Sequence, residues 1–228
     1  MRGGGLVPVL HGVANDKDKH KDPSRPLIRP LSLRLWRSSL NNYPHTIFSA
    51  APTGLTHISL ERRVRMHVRT AGIEDAAAIA HIYNQGIEDR VATFETSMRS
   101  REDVESWFDT IYPVVVVEDE GDVIAFGSTS SYSHRMCYAG IAECSVYVRR
   151  EKRGCGAGRI ALDGLIEAAE GAEFWKLVSR VFVENTASRK LIGSSGFREI
   201  GVHEKHAKLD GVWCDVIVVE RLIESNIR

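Results

Sequence analysis

One segment, Arg149 to Arg159 (RREKRGCGAGR), restricts the fold more than any other stretch of the chain. It follows a strand-like run ending at Val148 and leads into a helical pattern from Gly156 to about Ala169, so a strand, a glycine turn and a helix must come in that order. Gly154, Gly156 and Gly158 allow close backbone approach, and the free amides at the helix start point outward as an anion site. Arg150, Lys152, Arg153 and Arg159 add positive charge around it. A phosphate seated there gains about 0.3–1 kcal/mol from the helix dipole. Two other phosphate-binding patterns fail. A P-loop needs G-x-x-x-x-G-K-[ST], and no Lys-Ser or Lys-Thr follows. A dinucleotide fingerprint needs its third glycine one residue later and a place near the start of a βαβ unit.

The surrounding pattern supplies the rest of the fold. His67 to Thr70 reads as a strand. Asp75 to about Glu88 carries Ala76, Ile79, Ala80, Ile82, Tyr83 and Ile87 at helical spacing. Ser100 opens a capping-box-like S-x-x-D with Asp103, which predicts a second helix running through Trp107 and Phe108. Pro113 ends it. Val114 to Val117 is a β-branched run, and Glu120-Gly121-Asp122 turns it back through Val123 to Ser128. Tyr138 to Val148 and Phe174 to Val183 read as strands. Asn185 to Ser195 is a short helix ended by Gly196, and Phe197 to Lys208 pairs with Val212 to Leu222 through an Asp210-Gly211 turn. The order β-α-α-β-β-β-α-β-α-β-β predicts an α+β fold, a largely antiparallel mixed sheet flanked by helices on both faces.

Residues 1–65 have a different character. Six of the seven prolines fall there, and no window holds a helical or alternating apolar pattern. Three readings stand: a targeting segment, from the arginines and serines between Ser24 and Leu60; a disordered regulatory tail; and a gene-model extension ahead of a true start at Met66. The third best matches the abrupt change at Met66. Residues 66–225 are expected to form one domain, long enough to bury about 70% of its extended surface.

Thirty basic and thirty acidic residues cancel, which argues against a chain-wide nucleic-acid footprint. No apolar run approaches the roughly 20 residues that span a bilayer. Cys137, Cys144, Cys155 and Cys214 have neither C-x-x-C nor zinc-ligand spacing, so reduced thiols in a cytoplasmic protein and no metal are expected.

Arg153-Gly154-Cys155-Gly156-Ala157-Gly158 resembles the R/Q-x-x-G-x-G/A signature of the GNAT acetyltransferase superfamily. The stretches IYNQGIEDRVATFET, WFDTIYPVVVVE, AECSVYV, RGCGAGR, ENTASRKL and GFREIG are similar to its phosphinothricin acetyltransferase-like branch, and within it to arsinothricin N-acetyltransferases. The likeness runs from Met66 to Leu222. It implies acetyl-coenzyme A as co-substrate, a homodimer, and detoxification of a small anionic amino-acid analogue by acetylation of its α-amine. Methionine sulfoximine or a protein N-terminus are alternative acceptors, and a non-catalytic acetyl-coenzyme-A binder is the reading from another class.

The resemblance also implies site residues. Backbone groups of Val146, Tyr147 and Val148 would meet the pantetheine arm, and Gly154, Cys155, Gly156, Ala157, Gly158 and Arg159, with Arg153, the pyrophosphate. Asn185 would contact the cofactor, although Asn also favours a helix N-cap. Glu143 would accept the proton of the attacking amine, an acid in a mostly apolar strand where burial is expected to disfavour its charged form. Phe94, Glu95 and Thr96, with Arg135, would line the acceptor pocket, a guanidinium being suited to bidentate capture of an acidic group. Lys205 and His206 are further candidates. Where the family carries a histidine or tyrosine, this chain has Ile192, which cannot donate a proton; the thiolate would leave unaided or be protonated by solvent or Ser194. Cys144 and Cys155 read as inert.

Overall fold

The computed structural model describes residues 66–227, so the readings of residues 1–65 lie outside the described part. Among the described residues seven strands form one sheet in the order β1-β2-β3-β4-β5-β7-β6. They are β1 (His67–Thr70), β2 (Val114–Asp119), β3 (Asp122–Ser131), β4 (Ile141–Val148), β5 (Lys176–Phe182), β6 (Arg198–Leu209) and β7 (Val212–Leu222). The helices are α1 (Ala76–Asp89), α2 (Arg101–Glu105), α3 (Ala157–Gly171) and α4 (Thr186–Ser194). The expected element order and fold class are both present.

The run Val114–Val117 shows why the sheet is covered twice. Val114 and Val116 pack with Ala76, Ile79 and Ile82 of α1 and Val104 of α2. Val115 joins Leu162 and Leu165 of α3, and Val117 joins Ala157 and Ala161. Successive side chains on a strand face opposite ways, so a strand buried on both sides reads as an unbroken apolar run rather than an alternation. Glu120 (φ 56°) and Gly121 (φ 91°) turn β2 into β3, and Asp210 (φ 49°) and Gly211 (φ 84°) turn β6 into β7; consecutive left-handed residues are the geometry of a tight two-residue hairpin.

Some boundaries differ from expectation. The second helix relaxes at Ser106–Asp109 into a 3-10 turn. Residues Met136–Tyr138 form another such turn, and β4 begins only at Ile141. Buried Gly140 stands just before it, packed so closely on the Trp175 ring that a Cβ there would meet it at 1.9 Å.

Among the described residues only one strand pair is parallel, and it is short. β4 pairs with β5 at Ile141↔Lys176, Ala142↔Leu177 and Glu143↔Val178, and nowhere beyond. β4 remains paired with β3 as far as Val148, and β5 with β7 as far as Phe182. Each strand is held on its outer side while the two part after Glu143, which leaves a wedge in the middle of the sheet.

Candidate active site

The cleft in that wedge is lined by Cys144 to Tyr147 of β4, Ser179 to Phe182 of β5, Leu162 of α3, Asn185, and Ser188, Leu191 and Ile192 of α4, with Ala92 from the loop after α1. From Cys144 onward the edge of β4 that faces β5 has no strand partner. A buried backbone amide or carbonyl left without a partner is costly, so this edge suits an extended ligand carrying amide groups of its own. Val146, Tyr147 and Val148, the residues implied for such a contact, all lie on it.

The glycine loop adjoins the cleft. Gly156 caps α3 in a left-handed conformation (φ 95°), and Gly154 has φ 80°. A Cβ would meet nothing within 4 Å at either position, so both are glycines for backbone geometry, leaving open space above the helix start. Gly158 is a packing glycine instead: a Cβ there would lie 3.2 Å from Leu191 and 3.3 Å from Val148. It brings the first turn of α3 against β4 and α4. Ala157 is buried beneath that turn.

The charge around the loop departs from expectation. Arg150 pairs with Glu88 (3.0 Å) and Asp89 (2.8 Å), Arg153 with Asp89 (2.6 Å), Lys152 with Asp119 (2.9 Å) and Arg159 with Asp163 (2.6 Å). Each of these four basic side chains is thus balanced by an acid, and the anion site rests chiefly on backbone amides. Burial opposes charging of Asp89, but hydrogen bonds from Arg150 and Arg153 outweigh it and hold the carboxyl below the usual range. The Gln85 side-chain oxygen also accepts from the Arg150 amide (2.8 Å). The last turn of α1 therefore grips the loop, an anchoring that sequence reading missed because the partners lie more than 60 residues apart.

Gly86 belongs to the same junction. A Cβ on it would meet the Tyr147 ring at 2.7 Å, so its absence lets α1 lie on β4. The Tyr147 ring stacks on Phe126 (5.3 Å) and neighbours Tyr83 (4.8 Å). Burial, then Tyr83, pushes its hydroxyl well above the ordinary range for a phenol.

Glu143 stands at the last β4–β5 pair, where the strands separate. The expected burial is not found: its side chain is 32% exposed and forms an ion pair with Arg180. The partner lies on β5, two residues past Val178, and solvent reaches both side chains at the cleft margin. Oε1 accepts from Arg180, while Oε2 has no partner among the described residues. The cue for Arg180 was present in the sequence, as a charged residue in the apolar strand LVSRVF.

The other implied residues fall in three places. Asn185 caps α4, its Oδ1 accepting from the Ser188 amide (3.0 Å) while its Nδ2 donates to the Val91 carbonyl (2.9 Å); it pins the loop after α1 to the start of α4. Phe94, in that same loop, packs edge-on against Phe182 (4.7 Å). Glu95 pairs with Arg99 (2.8 Å), and Thr96 is exposed. Arg135 is exposed on the β3–β4 loop, its guanidinium without a carboxylate partner among the described residues. His206 lies beside Phe94 (6.1 Å) and His203 (5.3 Å), and the Lys205 amide donates to Asp215 (2.6 Å).

Ile192 does line the cleft, whereas the Ser194 hydroxyl already donates to the Leu191 carbonyl (2.7 Å), which weakens Ser194 as a proton source. Burial, then Glu143, pushes the Cys144 thiol up to about 12, and an un-ionised thiol is a poor nucleophile. Cys155 donates to the Lys152 carbonyl (2.8 Å). Among the described residues no helix is long and apolar enough to cross a membrane, and no cluster of three His, Cys, Asp or Glu side chains is placed to hold a metal.

Comparison with known proteins agrees with this geometry. Residues 79–197, more than half of the chain, match the acetyltransferase (GNAT) family. The L-methionine sulfoximine/L-methionine sulfone acetyltransferase of Pseudomonas aeruginosa is 30% identical over 67% of this chain and 92% of that protein. The phosphinothricin N-acetyltransferase of Alcaligenes faecalis is 31% identical over 70% of this chain and 83% of its own length. The crystal structure of a GNAT superfamily phosphinothricin acetyltransferase from Sinorhizobium meliloti, in complex with acetyl-coenzyme A, superposes with a TM-score of 0.65 at 28% identity, covering 70% of this chain and 89% of that one.

Proposed function

Because the chain belongs to the acetyltransferase (GNAT) family, we propose that it acetylates the α-amine of a small anionic amino-acid analogue of the phosphinothricin or arsinothricin type. The observation that carries this reading is Glu143. It is a solvent-reachable carboxylate with one free oxygen, at the point where β4 and β5 part. Acetyl-coenzyme A, the co-substrate, supplies an activated acyl group. The unpaired edge of β4 suits its amide-bearing arm, and the α3 amides with Gly154 and Gly156 suit its phosphates.

What the chain's own groups do follows from their chemistry. An ammonium has no lone pair with which to attack, so a proton must leave first. Glu143 Oε2 accepts it, an effect usually worth about 10²–10⁴-fold in rate. The leaving thiolate departs past Ile192 without a side-chain donor, and solvent protonates it. Arg135 takes the acidic group of the acceptor side chain, and Phe94 with Glu95 and Thr96 forms the far wall. Detoxification in the cytoplasm and a homodimeric assembly complete the reading, with residues 66–225 as the working domain.

The methionine sulfoximine reading has support of its own in the Pseudomonas aeruginosa relative. A competition assay of arsinothricin, phosphinothricin and methionine sulfoximine, compared by kcat/KM, separates the two. The proposal expects one of the first two to win. A clear preference for methionine sulfoximine transfers the function to the sulfoximine.

A further inference from the structure

The cleft lining holds one charged side chain among the described residues, Arg180. We infer that Arg180 is a specificity-determining residue which receives the α-carboxylate of the acceptor, while its partner Glu143 receives the amine. The inference rests on the proposed amino-acid acceptor and names the groups that recognise its head.

A guanidinium carries five N–H donors in a planar fork. Arg180 uses Nη1 on Glu143 Oε1, and among the described residues Nε and Nη2 donate to no protein group. Its side chain is 37% exposed, so those donors are open to a ligand in the cleft. Glu143 is likewise half used, with Oε2 open. The pair therefore presents an unused donor edge beside an unused acceptor oxygen. An α-amino acid head offers the complement, a carboxylate and an ammonium on one carbon.

Placement supports the match. Arg180 follows Val178, the β5 partner of Glu143, so both groups sit where the ladder ends and the cleft begins. Phe182, two residues further and therefore on the same face of β5, also lines the cleft and packs against Phe94. A carboxylate entering between these walls meets no other cation of the lining. A ligand anion on the free edge uses Arg180 fully. Arg135, on the β3–β4 loop, remains for an acidic group at the far end of the acceptor.

The step it prepares balances simply: the ammonium gives one proton to Glu143 Oε2, and the carboxylate on Arg180 keeps its charge throughout. The test compares wild type, Arg180→Met and Arg180→Lys on phosphinothricin, on methionine sulfoximine and on the α-carboxamide of each. Arg180→Met should raise KM for both acids about 10–100-fold, as expected for losing hydrogen bonds to a charged group, while KM for the carboxamides stays within about twofold. Arg180→Lys, which keeps the charge but not the fork, should fall between and guards against a folding defect in the Met variant. Equal losses in kcat for acids and carboxamides with unmoved KM would overturn the inference, because Arg180 would then act only through Glu143. Wild-type protein that acetylates peptide N-termini but none of these four compounds would remove the underlying reading instead.

Discussion

The two ends of the cleft are built in opposite ways. At the glycine loop four basic side chains are already matched: Arg150 and Arg153 share Asp89, Lys152 holds Asp119 and Arg159 holds Asp163. What is left for a ligand there is backbone, the α3 amides and the unpaired edge of β4. At the other end the side chains are only partly used, with Arg180 and Glu143 joined by one contact. The contrast teaches a division of labour. On the proposed reading, the co-substrate's site is assembled from main chain and locked by internal ion pairs, whereas the acceptor's site depends on side chains whose donors and acceptors are still open.

Breaking the acceptor end should have the largest effect. Glu143→Gln is expected to lower turnover at neutral pH by about 10²-fold or more while KM for acetyl-coenzyme A stays put. Steady-state kinetics in both substrates checks this, and a comparable rise in that KM would show that the two ends are not separable. Breaking the cofactor end should act through stability. Gly86→Ala drives a methyl against the Tyr147 ring, at a cost of about 1–3 kcal/mol for an overpacked core. A lowered thermal midpoint together with a weaker KM for acetyl-coenzyme A is the expected pair of readouts.

A smaller effect tests the lock itself. Asp89 has a folded-state pKa held below its unfolded value. Its pairing therefore contributes stability that is fully present above the unfolded carboxylate range, about pH 4, and is lost as pH falls through the lower folded value. Urea midpoints of wild type should drop across that acid window, and Asp89→Asn should flatten part of the drop while costing stability at pH 7. An unchanged profile would mean that Asp75, Glu118 and Glu220, whose carboxyls are lowered by their own arginine and lysine partners, account for all of it. The smallest effect concerns residues 1–65. A chain begun at Met66 should melt and turn over like the full chain, and loss of either property would give the N-terminal segment a role in the domain.

Much of this was legible in the amino-acid order because its causes are local. Apolar spacing in Ala76–Ile87, the Val114–Val117 run and the Asp210-Gly211 turn each specify their own element, and the glycine spacing of the loop specifies an anion site. The likeness to a known family then singled out Glu143. What escaped was set by pairings distant in the chain. Arg180 meets Glu143 across 37 residues, and Asp89 and Gln85 meet Arg150 across more than 60; no window holds both partners. The same cause overturned two expectations. The loop arginines looked like free charge until α1 folded over them, and Glu143 looked buried because its strand is apolar, while the parting of β4 from β5 exposes exactly that end of the ladder.

Steady release of thiol from acetyl-coenzyme A, measured across a panel of amines, tests the central claim most directly. The panel should include anionic α-amino-acid analogues, neutral amino acids and a peptide N-terminus. The account predicts sustained release with the highest kcat/KM for the anionic analogues. Release that is equal or faster with the peptide N-terminus, or absent with every amine although acetyl-coenzyme A binds, would contradict it.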